Sequence, residues 1–237
     1  MSVLDTTRPL LGVIKRSFPT LWWRARSLAA LGELYTQKWR GRDGSYDDAF
    51  WDFHETGDWE GFAAVVMSHA APRSIVDVGC GHGLTLAAFG RRDASMRLQG
   101  FEESAPAIAR ATARGLAIER IDLTSLTPGG AAAIAERVSS FDLAICLEVA
   151  EHLPPWHAGR LLTVLSGART LVFSAAHPNQ GGRFHVNEQP ASYWIARLAR
   201  RGLLLSVRDA GFRRDVERLD LPPWYARNIH LFERATG

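Results

Sequence analysis

Hydrophobic residues follow two different spacings along this chain. Short runs rich in Val, Ile and Leu, with the length of a buried strand, are separated by longer stretches with helical spacing. The pattern predicts strands at residues 74–78, 97–101, 117–121, 141–147, 170–175 and 228–232. It predicts intervening helices at residues 84–89, 105–114, 131–138, 149–153 and 191–201. Strands that alternate with helices in this way indicate βαβ units and a mostly parallel sheet.

The chain before the first strand has a different character. Residues 49–70 have helical spacing, and residues 41–47 ahead of them form a polar, glycine-containing break. Residues 1–42 carry eight basic and two acidic side chains, a net charge of +6 in a chain whose total is +3. We therefore expect an N-terminal helical extension or lid at residues 1–70 and the main domain at residues 71–237. This extension could cover a site, form a homodimer or rest on an anionic surface.

Composition narrows the class of protein. At 237 residues with 46% hydrophobic and 22% charged residues, the chain can bury a full globular core. Cys80 and Cys146 have neither metal nor redox spacing, so we expect a cytoplasmic protein. No apolar run is long enough to predict a transmembrane segment. The small net charge and the lack of an RNA-binding motif disfavour nucleic acid as a partner.

A turn with glycines at positions 79, 81 and 83 follows the first predicted strand and precedes a helix. Glycine is needed where a turn is tight and where the backbone must approach a ligand without a Cβ atom in the way. Such a turn also occurs as a plain connection between a strand and a helix. The chemistry of the following segments must therefore decide its role.

Carboxylates follow the next two predicted strands. Glu102 ends the second strand, where a carboxylate can accept hydrogen bonds from both hydroxyls of a ribose. Glu103 is the alternative, because neighbouring residues at a strand end face opposite sides. Asp122 follows the third strand and is suited to the exocyclic amine of adenine. The order of these segments predicts that the ligand contains an adenosine.

A nicotinamide-dependent dehydrogenase uses a similar turn and acid. Its fingerprint requires a third glycine or an alanine five positions after Gly79, where this chain has Leu84. Asp77 precedes the first glycine by two residues, and there its carboxylate would face a pyrophosphate. Both features disfavour a dinucleotide enzyme.

Four segments in order resemble the motifs of class I S-adenosylmethionine-dependent methyltransferases, the bacterial small-molecule or sugar type included. Residues 76–83 resemble their first motif, residues 100–102 their second, Asp122 their third and residues 141–153 their fourth. The resemblance implies a Rossmann-like three-layer α/β/α sandwich with a mostly parallel seven-stranded sheet. It also implies S-adenosyl-L-methionine as the cofactor, with Asp77 facing its ammonium group. The implied cofactor-binding residues are Asp77, Gly79, Cys80, Gly81, Glu102, Asp122 and Leu147.

Glu148, Glu151 and His152 are spaced by three and four, so a helix over residues 149–153 would present them on one face beside the cofactor. Two carboxylates and an imidazole can hold Mg²⁺, Mn²⁺ or Zn²⁺. The segment is similar to that of small-RNA 2′-O-methyltransferases and ubiquinone-pathway O-methyltransferases. Likeness to the RNA enzymes implies a metal held with a later histidine, for which His185 is the first candidate and His177 the second.

Two other interpretations of this segment remain open. In one, no metal binds, and Glu148 holds an acceptor amine or a water molecule. In the other, His152 only caps or orients a loop. The predicted catalytic residues are Glu148, His152 and His185, whichever chemistry they serve.

The acceptor is expected outside the carboxyl ends of the strands, where ligands of open α/β sheets bind. Gly181 and Gly182 predict a mobile loop there, and residues 185–194 are dense in polar and aromatic side chains. Near the end of the chain, Trp224 and Tyr225 either close the pocket or pack in the core.

The leading hypothesis is O-methylation of a small hydroxylated acceptor such as a sugar or a natural-product intermediate. N-methylation of a small amine and RNA 2′-O-methylation are the alternatives.

Overall fold

The computed structural model describes residues 25, 27–29, 32, 48–53 and 56–235. Most of the basic leader lies outside the described residues. The predictions of a lid or a homodimer contact within residues 1–47 therefore fall outside them as well.

One sheet of seven strands forms the centre of the described chain, in the order β3-β2-β1-β4-β5-β7-β6. The first five strands run parallel, and β7 runs antiparallel to both β5 and β6. The predicted mostly parallel seven-stranded sheet is confirmed. The strands are β1 Ser74–Val78, β2 Arg97–Glu102, β3 Ile118–Arg120, β4 Leu143–Leu147, β5 Thr170–Ser174, β6 Leu203–Leu205 and β7 His230–Arg234.

Helices lie on both faces of the sheet, which gives the three-layer sandwich. α2, α3 and α8 pack on one face, and α5, α6 and α7 pack on the other. None of the helices in the described part of the chain is both long and apolar enough to cross a bilayer. The helices are α1 Asp48–Phe53, α2 Trp59–Ala70, α3 Leu84–Arg92, α4 Ala105–Ala113, α5 Pro128–Val138, α6 Pro155–Leu165, α7 Ala191–Ala199, α8 Asp209–Val216 and α9 Pro223–Asn228.

The strands read as continuous apolar runs because both faces of the sheet are covered. Successive side chains point to opposite faces, so each strand serves two cores. On β4, Leu143 and Ile145 join the core beneath α2, α3 and α8, whereas Ala144 and Cys146 join the core beneath α5, α6 and α7. This double burial fixes the register of the sheet and so fixes where its carboxyl edge lies.

The helix predicted over residues 49–70 is wrong in one respect, because the structure divides it into α1 and α2. Gly57 has a φ of +130°, which no helix accommodates. Asp58 then caps α2 by accepting a hydrogen bond from the Gly61 amide at 2.7 Å. The break allows α1 to leave the helical layer and approach the carboxyl edge of the sheet.

Close packing of α5 against the turn after α6 predicts a stability difference between two Gly→Ala variants. A Cβ atom on Gly167 would overlap the carbonyl oxygen of Ala135, whereas Gly129 in α5 has open space around it. We expect Gly167→Ala to lower the free energy of unfolding by about 1–3 kcal/mol, as overpacking does. Gly129→Ala should raise it by about 0.4–1 kcal/mol, because the unfolded chain loses entropy. Urea unfolding measures both, and equal stability of the two variants would contradict this packing.

Candidate functional site

A cavity of about 620 Å³ lies at the carboxyl ends of β1, β2 and β4. Parallel strands bring the residues that follow them to this common edge, where open α/β sheets bind ligands. Phe50 and Trp51 of α1 form part of the wall, and Trp224 and Tyr225 of α9 form another part. Of the two roles considered for Trp224 and Tyr225, the structure therefore supports closing the pocket.

The glycine turn forms the floor beside β1. Gly79, Gly81 and Gly83 have φ values of +80°, +53° and +80°, in the left-handed region that favours glycine. The Gly79 amide donates to the Phe101 carbonyl at 2.8 Å, which joins the turn to the end of β2. A Cβ atom on Gly81 would lie 2.7 Å from the Trp51 ring. The turn therefore requires glycine for its conformation and for the close approach of α1.

Glu102 ends β2 with its carboxylate against the glycine turn. It accepts hydrogen bonds from the backbone amides of Gly81 at 2.9 Å, Glu103 at 2.9 Å and Ser104 at 2.8 Å. Burial raises the pKa of Glu102 above its ordinary value even though these three bonds oppose the rise. Glu103, the alternative candidate, also lines the cavity, but it is Glu102 that accepts the hydrogen bond from the glycine turn.

Asp77 lies beneath the turn, near the end of β1. It is only 3% exposed and belongs to none of the ion pairs found among the described residues. Burial, and then the nearby Glu102 carboxylate, raise the pKa of Asp77 to about 8. A carboxyl group in this state gains strongly from a cation placed beside it.

The structure brings six of the seven predicted cofactor-binding residues to the cavity wall, and Asp122 is the exception. Asp122 accepts hydrogen bonds from the amide and hydroxyl of Thr124, at 2.7 and 2.6 Å. The neighbours Ile121, Leu123 and Thr124 line the cavity in its place. A contact between Asp122 and an adenine amine therefore stays a prediction. The lining residues of the predicted set are Asp77, Gly79, Cys80, Gly81, Glu102 and Leu147.

The helix predicted over residues 149–153 is wrong. Glu148 has a φ of +52°, and only Ala150–His152 form a single 3₁₀ turn. The cause is β5, because the Glu148 amide donates to the carbonyl and to the hydroxyl oxygen of Ser174, both at 3.1 Å. Glu148 therefore continues the strand pairing instead of starting a helix, and Pro154 and Pro155 prevent extension of the turn.

Two amide side chains that the sequence analysis missed hold Glu148. Its carboxylate accepts from Gln180 Nε2 at 2.8 Å and from Asn228 Nδ2 at 3.1 and 3.3 Å. Asn228 Nδ2 also donates to Gln180 Oε1 at 2.8 Å. The glycines after Gln180 indicated a loop near the site, but no local signal marks Asn228, which lies in a helix that was not predicted.

Glu151, His152 and His185 converge on the same side of the cavity. One potential ligand atom from each lies within 4.8 Å of the others, and the two imidazole rings are 4.8 Å apart between centroids. Glu151 is fully buried, and neither of its carboxylate oxygens makes a hydrogen bond of good geometry with the described residues, although the Glu148 carboxylate and the Ala176 backbone lie close to it. Burial, and then the Glu148 carboxylate, raise the pKa of Glu151 well above its ordinary value. Glu148, the fourth predicted ligand, is not part of this cluster.

Glu188 orients His185. Its carboxylate lies 3.0 Å from His185 Nδ1 and also accepts from the Gly181 and Asn179 amides. Burial alone would raise the pKa of Glu188, but these three hydrogen bonds lower it below its ordinary value. A Cβ atom on Gly182 would overlap the His185 ring, so this loop can cover the histidine only with glycine there. His177, the second histidine candidate, is not in the cluster.

Comparison with known proteins agrees with this architecture. The profile of the methyltransferase domain family matches residues 60–228. The sugar N-methyltransferase KedS8 from Streptoalloteichus is 17% identical over 85% of this chain and 93% of its own, with a TM-score of 0.53. The amino pentose methyltransferase CalS10 from Micromonospora echinaspora, solved with S-adenosylmethionine bound, is 15% identical over 79% of this chain and 96% of its own, with a TM-score of 0.54.

The methyltransferase domain of bacterial CtHen1 is 16% identical over 73% of this chain and 96% of its own, with a TM-score of 0.51. At these identities the structural likeness establishes the fold alone. No curated protein sequence is significantly similar to this chain.

The glycine turn predicts different effects for two alanine variants with the same backbone strain. Gly81 and Gly115 both have positive φ, but Gly81 lies under Trp51 in the cavity wall and Gly115 has open space around it. Both Gly→Ala changes should cost about 1 kcal/mol of stability through the backbone, because alanine disfavours this conformation, and Gly81→Ala should cost more because its Cβ atom would overlap Trp51. Only Gly81→Ala should also weaken S-adenosylmethionine binding, by about tenfold or more, equivalent to about 1.4 kcal/mol. Calorimetric titration checks this, and equal affinities of the two variants would contradict it.

The raised pKa of Asp77 predicts a pH dependence of stability. The folded protein holds a proton on Asp77 up to about pH 8, whereas the ordinary value is 3.8. Between these values the folded state binds more protons than the unfolded state, so the Asp77 contribution to stability falls as pH rises from about 4 to about 8. Asp77→Asn should remove this decline. Denaturant unfolding at several pH values measures it, with Glu136→Gln, at an exposed site on α5, as the control. An unchanged profile in Asp77→Asn would show that the group titrates normally.

Proposed function

This chain belongs to the methyltransferase domain family and is an S-adenosylmethionine-dependent methyltransferase, and we propose that it methylates a hydroxyl group of a small acceptor. The observation that carries the proposal is Glu151, a fully buried carboxylate that makes no hydrogen bond of good geometry with the described residues and lies beside two histidines at the cavity wall. A sugar or a natural-product intermediate is the acceptor class that the sequence favours.

The residues around the glycine turn suit the cofactor. S-adenosylmethionine supplies a methyl carbon that is activated by its bond to a positively charged sulfur. Asp77 would bind the ammonium of its amino acid part, and Glu102 would accept from the ribose hydroxyls. The absence of Cβ atoms at Gly79 and Gly81 lets Val149 and Trp51 pack directly on the turn, beside which the ligand would lie. Leu147 at the end of β4 would line the methionine pocket, and the buried walls would exclude water from the reacting groups.

The cluster of Glu151, His152 and His185 suits a divalent metal. Two imidazoles and a carboxylate match Zn²⁺ or Mn²⁺ better than Mg²⁺, which prefers oxygen ligands. Glu188 would fix the His185 ring from behind, as carboxylates do for metal-binding histidines. A metal held there would acidify a bound acceptor hydroxyl. It would also give the buried Glu151 carboxylate a positive partner that the described residues do not supply.

Glu148 would take a different role from the three ligands. Gln180 and Asn228 hold its carboxylate at the cavity wall, close enough to Glu151 to raise the pKa of that residue. We infer that Glu148 accepts a hydrogen bond from the acceptor hydroxyl and receives its proton during transfer. His152 and His185 would act on the same hydroxyl through the metal or, without it, by direct hydrogen bonds.

One observation favours a second candidate function, N-methylation of a small amine. The groups seen to hold the Glu148 carboxylate are neutral amides, so its negative charge is available to anchor an acceptor ammonium. An amine needs less base catalysis than a hydroxyl, because its lone pair attacks directly. RNA 2′-O-methylation would draw on the basic leader, which lies outside the described residues, and steep salt dependence of RNA binding would reveal it.

Metal dependence separates the two candidates. Release of S-adenosylhomocysteine with panels of hydroxylated and amino acceptors should be fastest with a hydroxylated acceptor. Its rate should fall at least tenfold when a chelator removes the metal.

Glu151→Gln should weaken Zn²⁺ or Mn²⁺ binding in calorimetry by about 10–100-fold. Glu103→Gln, the same change at another cavity residue, should retain the metal. Full activity in the presence of chelator would refute the metal, and turnover of amines alone would favour the second candidate.

A further inference from the structure

Outside the cavity, near the start of β7, the charges of two arginines, Arg213 and Arg227, act on the side chain of His177. His177 follows the end of β5, Arg213 lies on α8 and Arg227 lies on α9. Arg213 donates through its guanidinium to the Arg227 carbonyl at 3.4 Å, which joins the two helices. No part of the methyl-transfer site described above uses these three residues, and none of them lines the cavity.

Two of the three side chains contain a buried nitrogen without a hydrogen-bond partner. These atoms are His177 Nε2 and Arg213 Nε, and neither contacts an acceptor among the described residues. Buried polar atoms in proteins are nearly always hydrogen-bonded, because an unpaired one costs about 1–3 kcal/mol. Two such atoms in one basic group indicate an acceptor that the described residues do not supply.

The carboxylates near these residues are already engaged. Asp209 accepts from the Leu231 amide at 2.8 Å and lies 3.1 Å from His230 Nδ1. Asp215 pairs with His69 and Arg218 at 2.9 and 3.1 Å. Burial, and then the positive fields of His230, Arg227 and Arg213, lower the pKa of His177. Burial is the larger cause, and the three positive groups add to it, so they lie close enough to His177 to disfavour its protonation.

We propose that His177, Arg213 and Arg227 form a binding site for a phosphate group. A guanidinium offers paired N–H donors that match two oxygens of a phosphate. Two arginines together balance the double negative charge of a phosphate, whereas a carboxylate ligand would balance only one of them. His177 contributes a single N–H and no fixed charge. The phosphate is either inorganic or part of a phosphorylated small molecule, since both present the same group.

The position of this site couples it to the catalytic side of the cavity. The two segments that hold Glu148 each carry one of its members, since His177 precedes Gln180 by three residues and Arg227 adjoins Asn228. A phosphate between these segments would fix both of them. It would thereby stabilise the amide pair that orients the Glu148 carboxylate.

Binding of phosphate to the full chain can be measured without methyl transfer. A failure to bind phosphate would therefore refute this site and leave the proposed function untouched. Calorimetry at low ionic strength should show saturable binding of inorganic phosphate and of ribose 5-phosphate. Arg213→Met and Arg227→Met should each weaken it at least tenfold, and Arg227→Lys should recover part of the loss. Arg214→Met removes the same charge from an exposed neighbouring position on α8 and should leave binding unchanged.

Two outcomes of this experiment identify the ligand, and two would overturn the site. Equal affinities for the two probes would identify the phosphate group alone as the ligand, and tighter binding of ribose 5-phosphate would identify a phosphorylated small molecule. Absence of saturable binding, or equal weakening by Arg214→Met, would overturn the site. Arg227 is exposed, so Arg227→Met keeps the test valid even where Arg213→Met fails to fold, which circular dichroism checks.

Discussion

The feature on which this site depends is a set of carboxylates with no cationic partner at the carboxyl edge of the sheet. The ends of β1, β2 and β4 bring Asp77, Glu102 and Glu148 to the cavity wall, and Glu151 lies next to the wall residues His152 and His185. No arginine or lysine among the described residues pairs with any of these carboxylates. Burial raises the pKa of Asp77, Glu102 and Glu151 above their ordinary values. A fold that keeps these groups together must gain from ligands that bring positive charge, and an ammonium, a sulfonium and a metal ion all do so.

The walls of the cavity strengthen this effect. Trp51 and Trp224 replace water with apolar surface, and in such surroundings a charge interaction is worth more than at an exposed site. Tyr225 experiences the same surroundings, since burial and then the Glu148 carboxylate raise the pKa of its hydroxyl. The aromatic wall and the carboxyl groups that no described arginine or lysine pairs with are therefore two parts of one arrangement, in which a cationic ligand would take the place of the protons that burial holds on these groups.

The glycine turn and Glu102 were predicted from short segments of contiguous residues. Hydrophobic spacing was enough to locate β1, β2 and the residues that follow them, although the contact that joins them, from the Gly81 amide to Glu102, crosses from β1 to β2. The conformation of Glu148 was predicted wrongly because it is set by Ser174 on β5, a contact across the sheet that spacing does not contain. Asn228 was missed for the same reason, since its role arises only when α9 folds back onto the end of β4. The predicted cofactor-binding residues other than Asp122 line the cavity, and their contacts with the cofactor stay predictions, whereas the sequence-based prediction of conformation failed where distant segments meet.

Proton release on cofactor binding tests most directly whether the site stores uncompensated acidic groups for a cationic ligand. At pH 6.5 the Asp77 carboxyl is protonated, because its pKa is about 8, and an ammonium bound beside it should expel that proton. Titration of the wild-type protein with S-adenosylmethionine in two buffers of different ionisation enthalpy counts the protons released. We expect about one more proton from the wild type than from Asp77→Asn. Equal proton counts from the two proteins would contradict the account.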